Sequence, residues 1–439
     1  MSQYRGDPNR GDRDPRNQQS RYQQSQNQRN RNQQSRNQQN QYRQDPYRQN
    51  QYAYDQYPQR RKKAGKSGAQ KVLITLIVIA ILLLGLFVMH GITMRNDDTG
   101  IESFFSRQDP PERQTEEPTP IPRTEMLTGV EHHNPLTGEP MDLGLAERRP
   151  LAIVLNNISD SLPHNGVSSA DIIYEYPVEG GLTRMLAIYQ DIYGVKLVGS
   201  IRSARLYTVQ IAESYDAILI GAGRSQQAQA EVNSLGIPFL NEVEGTHRDI
   251  FFRDRNRIPG RRVDNLHAVV TTGERVLQWL PEYDFRLTHQ TSYEHMLRFI
   301  EDGTPDRGSN ASEVLARLST GKSSEFIYDT DDKVYYMRQY SRDFTDANDD
   351  SRPAFTNVLI LKTSVTNIQG DDVGRLNIVT TGTGEGYFIS GGQYIEITWK
   401  RNDVHSPFAY THLNGVPLEL GIGKTFICIV PDNLAVDFD

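Results

Sequence analysis

The densest set of chemically capable side chains in this sequence is Glu175, Glu179, Arg184, Arg202 and Arg205, with Ser200 and Ser203 among them. Gly199 to Arg205, GSIRSAR, falls where a strand is expected to give way to a helix. Free backbone N–H groups and the helix dipole favour an anion at such a junction, and arginine adds a bidentate fork, so a carboxylate or phosphate fits there. The same residues can also close on one another, Glu175 or Glu179 neutralising the arginines in a purely structural network. If the set is catalytic, Glu175 or Glu179 is the acid or base and Arg202 and Arg205 hold an anionic group.

A second polar set comprises Arg253, Arg255, Asn265 and His267, placed on loops. His267 beside Asn265 has the makings of a general base, but spacing assigns it no serine or cysteine nucleophile. His132 and His133 are adjacent and lack the i, i+4 geometry of a helical metal pair. With Cys428 as the only cysteine, no metal site and no cofactor are expected, nor any intramolecular disulfide. Gly382-x-Gly384-x-Gly386 reads as a glycine-rich turn with no helix after it, which is not a dinucleotide fingerprint.

The elements that must position these residues fall into two blocks. From 126 to 300, LAIVLNN, ADIIYEYPV, LTRMLAIYQ, KLVGSI and DAILIGA are strand candidates. Leu206, Val209 and Ala212 mark one helix, and Thr271-Thr272-Gly273-Glu274 has the capping-box spacing that opens another. Strands alternate with helices, so this block is expected to be an α/β or α+β domain. Residues 301–325 read as a connector with one short helix. From 326 to 439 the runs EFIYD, KVYYMRQY, NVLILKTSV, GRLNIVTTG, GYFI, YIEITWKR and TFICIVP predict a β-rich domain, a sandwich or curled sheet.

Ahead of both blocks, Val72 to Met94 is the one stretch able to cross a bilayer. Its uncharged part, Val72 to Met89, would span ~27 Å as a helix, against a hydrocarbon core of ~30 Å. Arg60, Arg61, Lys62, Lys63, Lys66 and Lys71 precede it, so a signal anchor with the N-terminus in the cytoplasm is expected. The start some seventy residues into the chain and the lack of an A-x-A-like site argue against a cleaved signal peptide. Residues 1–71 hold 12 Arg and 4 Lys against 5 Asp, a net charge of +11, leaving −18 on the rest of a chain whose total is −7. That tail, built from Gln, Asn, Arg and Tyr, cannot form a core and is expected to be disordered. It either only sets topology or binds anionic lipid, nucleic acid or an acidic partner. Residues 95–125, rich in Pro and acid, form a stalk. The acidic outer part suits cationic or polyhydroxyl partners rather than nucleic acid.

Nine segments carry a resemblance. They are NPLTGEP, RPLAIVLNN, ADIIYEYPVEGGLTRMLAIY, GSIRSAR, YDAILIGAG, DNLHAV, GRLNIV, YIEITWKR and GKTFICIVP, all between Asn134 and the C-terminus. In them the chain resembles the YerB-like family, bacterial envelope proteins, many of them lipoproteins, with a two-part domain of unknown function. A membrane helix stands here where that family usually has a lipid anchor, and TDANDDSRP (Thr345 to Pro353) lacks a histidine expected by analogy. The resemblance implies fold and an envelope location rather than a mechanism. Two functions follow as expectations. The first is a single-pass membrane protein whose outer region binds an envelope component or a partner protein. The second is a hydrolase or transferase acting on cell-wall glycan or peptide through the Arg/Glu pocket.

Overall fold

The structure, a computed structural model, describes residues 123–439 apart from Thr246, and these residues fall in one structural unit. The basic tail, the Val72 to Met94 segment and nearly all of the stalk lie outside them. Among the described residues no helix is long and apolar enough to cross a membrane.

Apolar runs of strand length become fully buried strands. Leu151–Asn156 is β1, Ile172–Pro177 β2 and Thr183–Tyr189 β3, every residue of each buried. Leu206–Glu213 is helix α1, Ile218–Gly221 strand β4, Gln226–Leu235 helix α2 and Phe239–Asn241 strand β5. Strands β1, β4 and β5 run parallel, with α1 and α2 as the crossovers, while β3 lies antiparallel between β1 and β2. Buried runs without alternation are what a sheet covered on both faces requires.

The helix Gly273–Trp279, α3, starts one residue later than a box built on Thr271 and Glu274 would have it. Thr272 is the cap, its Oγ1 accepting from the backbone N–H of Arg275 at 3.0 Å, whereas the Thr271 hydroxyl donates to the carbonyl of Ile250. Thr272→Ala should therefore cost about 1 kcal/mol in chemical unfolding. Thr271→Ala should leave the cap contact intact.

The stretch read as a connector is part of the fold. Glu313–Arg317 is a strand, β6, not a helix, because its apolar residues Val314 and Ala316 recur at period two, and both are buried. It lies between Ser323–Asp329 (β7) and the C-terminal strand Val436–Phe438, which caps a six-stranded sheet that also contains Val334–Gln339 (β8). The remaining long strands are Asn357–Thr363 (β9), Gly382–Ser390 (β10), Gln393–Arg401 (β11) and Thr425–Pro431 (β12). The triple-glycine segment is thus the start of β10 and not a turn. A Cβ at Gly386 would stand 2.4 Å from the carbonyl oxygen of Ile360, and one at Gly384 would meet the Trp399 ring, so close approach explains both glycines.

Both blocks share one sheet. Strand β12 pairs in parallel with β9 on one side and with β2 on the other, Thr425 opposite Ile172 and Cys428 opposite Glu175. The eleven-stranded sheet therefore runs from β11, on which the short strands Ser309–Asn310 and Ala409–His412 both pair, through β10, β9, β12, β2, β3 and β1 to β4 and β5. One face packs Val154, Ile172, Tyr174 and Leu186 against α1 and α2. The other packs Ile153, Ile173 and Phe426 against Phe326, Tyr335 and Met337 of the six-stranded sheet.

Candidate functional site

Side chains alternate across a strand, and that parity separates residues that look clustered in sequence. Glu175 shares its face of β2 with Ile173 and points toward the six-stranded sheet. Arg184 on β3 shares its face with Leu186 and points toward the helices. Glu175 is fully buried and makes no contact with the arginines. Its Oε1 accepts from Asn157 Nδ2 at 2.8 Å and Thr183 Oγ1 at 2.7 Å and lies 3.0 Å from Lys322 Nζ, while Oε2 accepts from Ser324 Oγ at 2.6 Å. Lys322 and Ser324 come from the supposed connector and its edge; no local pattern in STGKSSE marks them.

Glu179, on the turn after β2, is the residue that meets the arginines. Arg205 Nε donates to its Oε2 at 3.0 Å and Arg205 Nη2 to its Oε1, with Arg184 Nη2 at 3.8 Å. Burial alone would raise this carboxyl, but Arg205 and then Arg184 override it and hold it near 2. Burial, followed by the charge of Arg205, pulls Arg184 down to about 9. Arg205 stands at the N-cap of α1, where its backbone N–H donates to Thr208 Oγ1 at 3.2 Å. Ser203 Oγ donates to the carbonyl of Ala222 at 2.8 Å, and the hydroxyl of Ser200 is buried without a partner.

His267 is buried on a single 3-10 turn rather than exposed on a loop, and Asn265 beside it is exposed. The amide nitrogen of Asn156, the last residue of β1, faces His267 Nδ1 at 2.9 Å. Burial, then the nearby Arg202 charge, lowers the imidazole to about 4. Arg253 donates to the carbonyl of Asn265 at 2.8 Å and to Glu242 at 2.8 Å, and Arg255 to the carbonyl of Val263. These two arginines serve their loop.

Glu179, Arg184, Arg202, Ser203, Arg205 and Asn156 all lie at the carboxyl ends of β1, β2 and β4, the edge where open sheets of this kind bind ligands. Both helices begin there. Ala204, just before α1, bridges to Arg224, just before α2, and Ser225 caps α2 by accepting from Ala228 N–H at 3.1 Å. Arg224 pairs with Glu244 and lies 5.7 Å over the Phe239 ring, and its Nε is buried without a partner. From Arg224 a cleft of about 710 Å³ runs along α2 and β5 past Val232, Phe239 and His247 to Arg286, Arg149 and Asp216. Asp216 accepts from Arg286 at 2.8 and 2.6 Å and lies 3.1 Å from His289 Nδ1. Burial opposes ionisation here, yet those hydrogen bonds keep the Asp216 carboxyl well below the usual carboxylate range. No local pattern announces this cleft, because its walls come from separated segments. Among the described residues no group of three or more His, Cys, Asp or Glu is arranged to hold a metal.

Residues 136–286 match the family described as "Protein of unknown function (DUF3048) N-terminal domain", and residues 314–427 match the DUF3048 C-terminal domain. The chain belongs to this two-part, YerB-like family. It is 29% identical over 306 residues to "Putative lipoprotein YerB" of Bacillus subtilis (strain 168), covering 68% of this chain and 86% of that protein. A crystal structure of the YerB protein from Bacillus subtilis is similar at a TM-score of 0.60 and 28% identity, spanning 70% of this chain and 99% of that one. The two family segments meet within the continuous sheet, at the β2–β12 pairing.

Proposed function

We propose that this chain is an envelope-binding protein, held at the membrane by its Val72 to Met94 segment with the tail inside and residues 123–439 outside. The relative named as a lipoprotein supports an envelope location, and the charges flanking that segment support the orientation. The ligand is a component carrying both signs of charge, such as a peptide-bearing wall fragment or a partner segment. The observation that carries this reading is the cleft: its volume lies in the range of small-ligand sites, and its mostly polar lining brings together Arg149, Arg224, Arg286, Glu213, Glu244 and Asp284. Recognition is favoured over hydrolysis because both oxygens of Glu179 are held by Arg205, which leaves it neither a free base nor, near 2, an acid at neutral pH, and Glu175 is sealed from solvent.

The test is binding of residues 123–439 to soluble fragments released enzymatically from bacterial cell wall. Removing one charge-assisted contact should cost ~1.5–3 kcal/mol, so Arg224→Ala should weaken binding by about 10- to 150-fold. Folding should be nearly unaffected, since its partner Glu244 is exposed and such pairs contribute little. Undiminished binding by Arg224→Ala would remove the cleft as the site.

A further inference from the structure

Three residues from separate elements meet at the seam between the two halves: Asn157 just after β1, Glu175 on β2 and Lys322 just before β7. Asn157 and Glu175 are 0% exposed and Lys322 4%. Lys322 Nζ and Asn157 Nδ2 both touch a single atom, Oε1 of Glu175, at 3.0 and 2.8 Å, which puts the amine and the carboxamide within about 6 Å of each other. Thr183 and Ser324 fix the carboxylate from its other sides. The Tyr340 ring lies 5.1 Å from Lys322 Nζ, and its hydroxyl donates to the backbone carbonyl of Asn157 at 2.8 Å. The amide oxygen of Asn157 is buried without any partner. An orphaned buried acceptor is costly, and so is a buried ion pair. A neutral amide in their place would relieve the second cost outright.

We infer that this triad is a self-modification site, at which Lys322 and Asn157 join in an intramolecular amide bond with Glu175 as the acid–base group. The Nζ–Cγ bond forms and the Cγ–Nδ2 bond breaks. Glu175 takes a proton from the Lys322 ammonium, and the freed amine lone pair attacks Cγ of Asn157, whose oxygen has no competing contact. Two protons leave Nζ in all. One converts the departing NH2 group to ammonia and the other stays on Glu175, so that the ammonium and the carboxylate are both neutralised and no charge is left buried. No oxidation, metal or external reactant takes part. Exclusion of water protects the reaction from hydrolysis, and positioning supplies the rate. The product ties the first half of the chain to the second through a long loop, which constrains the unfolded state.

Intact mass spectrometry of the purified full chain tests this directly. The expected result is a mass lower than the sequence mass by one ammonia, about 17 Da. Tandem spectra of a digest should contain one branched peptide joining Asn157 to Lys322. Lys322→Arg and Glu175→Gln should each restore the full mass and release two linear peptides. Wild-type protein at full sequence mass, with both linear peptides recovered, overturns the proposal even if neither variant folds. A deficit that persists in Lys322→Arg overturns it too, since the ammonia then comes from another residue.

Discussion

Arg205→Ala should destabilise the folded protein by about 3–5 kcal/mol, because it leaves the buried carboxylate of Glu179 with only the more distant Arg184. The guanidinium grips Glu179 through both Nε and Nη2, and both side chains are about nine-tenths buried. Water cannot substitute for the lost partner at that depth. Urea unfolding of residues 123–439 measures the loss. The paired change Arg205→Met with Glu179→Gln should recover most of it, since replacing both charges removes the uncompensated group rather than stranding it. A loss under about 1 kcal/mol would mean that the pair behaves like a surface ion pair. Arg205 would then be available to an external anion, and the carboxyl edge rather than the cleft would become the recognition site.

How far the sequence discloses this molecule depends on the range over which each signal acts. Strands such as LAIVLNN and TFICIVP were legible because burial on both faces demands uninterrupted apolar runs, a purely local requirement. SEVLARLS misled because Val314, Leu315, Ala316 and Leu318 satisfy a helical stripe as well as an alternating one. Pairing with β7 and the C-terminal strand decided between them, and that pairing is non-local. Glu179 with Arg205 was legible as a pairing because both residues flank elements whose junction could be predicted. The partner of Glu175 was not, since face parity turns it away from the arginines and toward Lys322, far along the chain. The join between the halves was equally hidden. Nothing in β2 or β12 alone says that Ile172 will stand opposite Thr425.

Stability should also fall as pH drops from 7 toward 4.5, and the cause is two buried histidines rather than Glu179. Burial lowers His164 to about 3 and His267 to about 4, from an ordinary value of 6.5. His164 shows why. Its Nε2 hydrogen-bonds the carbonyl of Asn156 at 2.8 Å, while Nδ1 is buried with no partner, so a proton there would have no acceptor. His267 Nδ1 faces the amide nitrogen of the same Asn156, and protonation would set donor against donor. The unfolded chain takes up these protons near pH 6.5 whereas the folded chain refuses them until about 4. At these two sites it therefore binds more protons throughout that window, which makes stability rise with pH; the buried Asp171, raised to about 6, opposes this only below about 6. His164 alone contributes a slope approaching ~1.4 kcal/mol per pH unit, and His267, nearer water, contributes less. Glu179 acts in the same direction only later, its contribution being complete above about 4.5 and lost as pH falls toward 2. Urea midpoints of residues 123–439 at pH 7, 6, 5 and 4.5 should thus decline from the first step below neutrality, and a His164→Asn variant that folds should decline less. A midpoint that stays level down to pH 4.5 would mean that these imidazoles accept protons in the folded state, and that Asn156 does not hold His164 and His267 neutral.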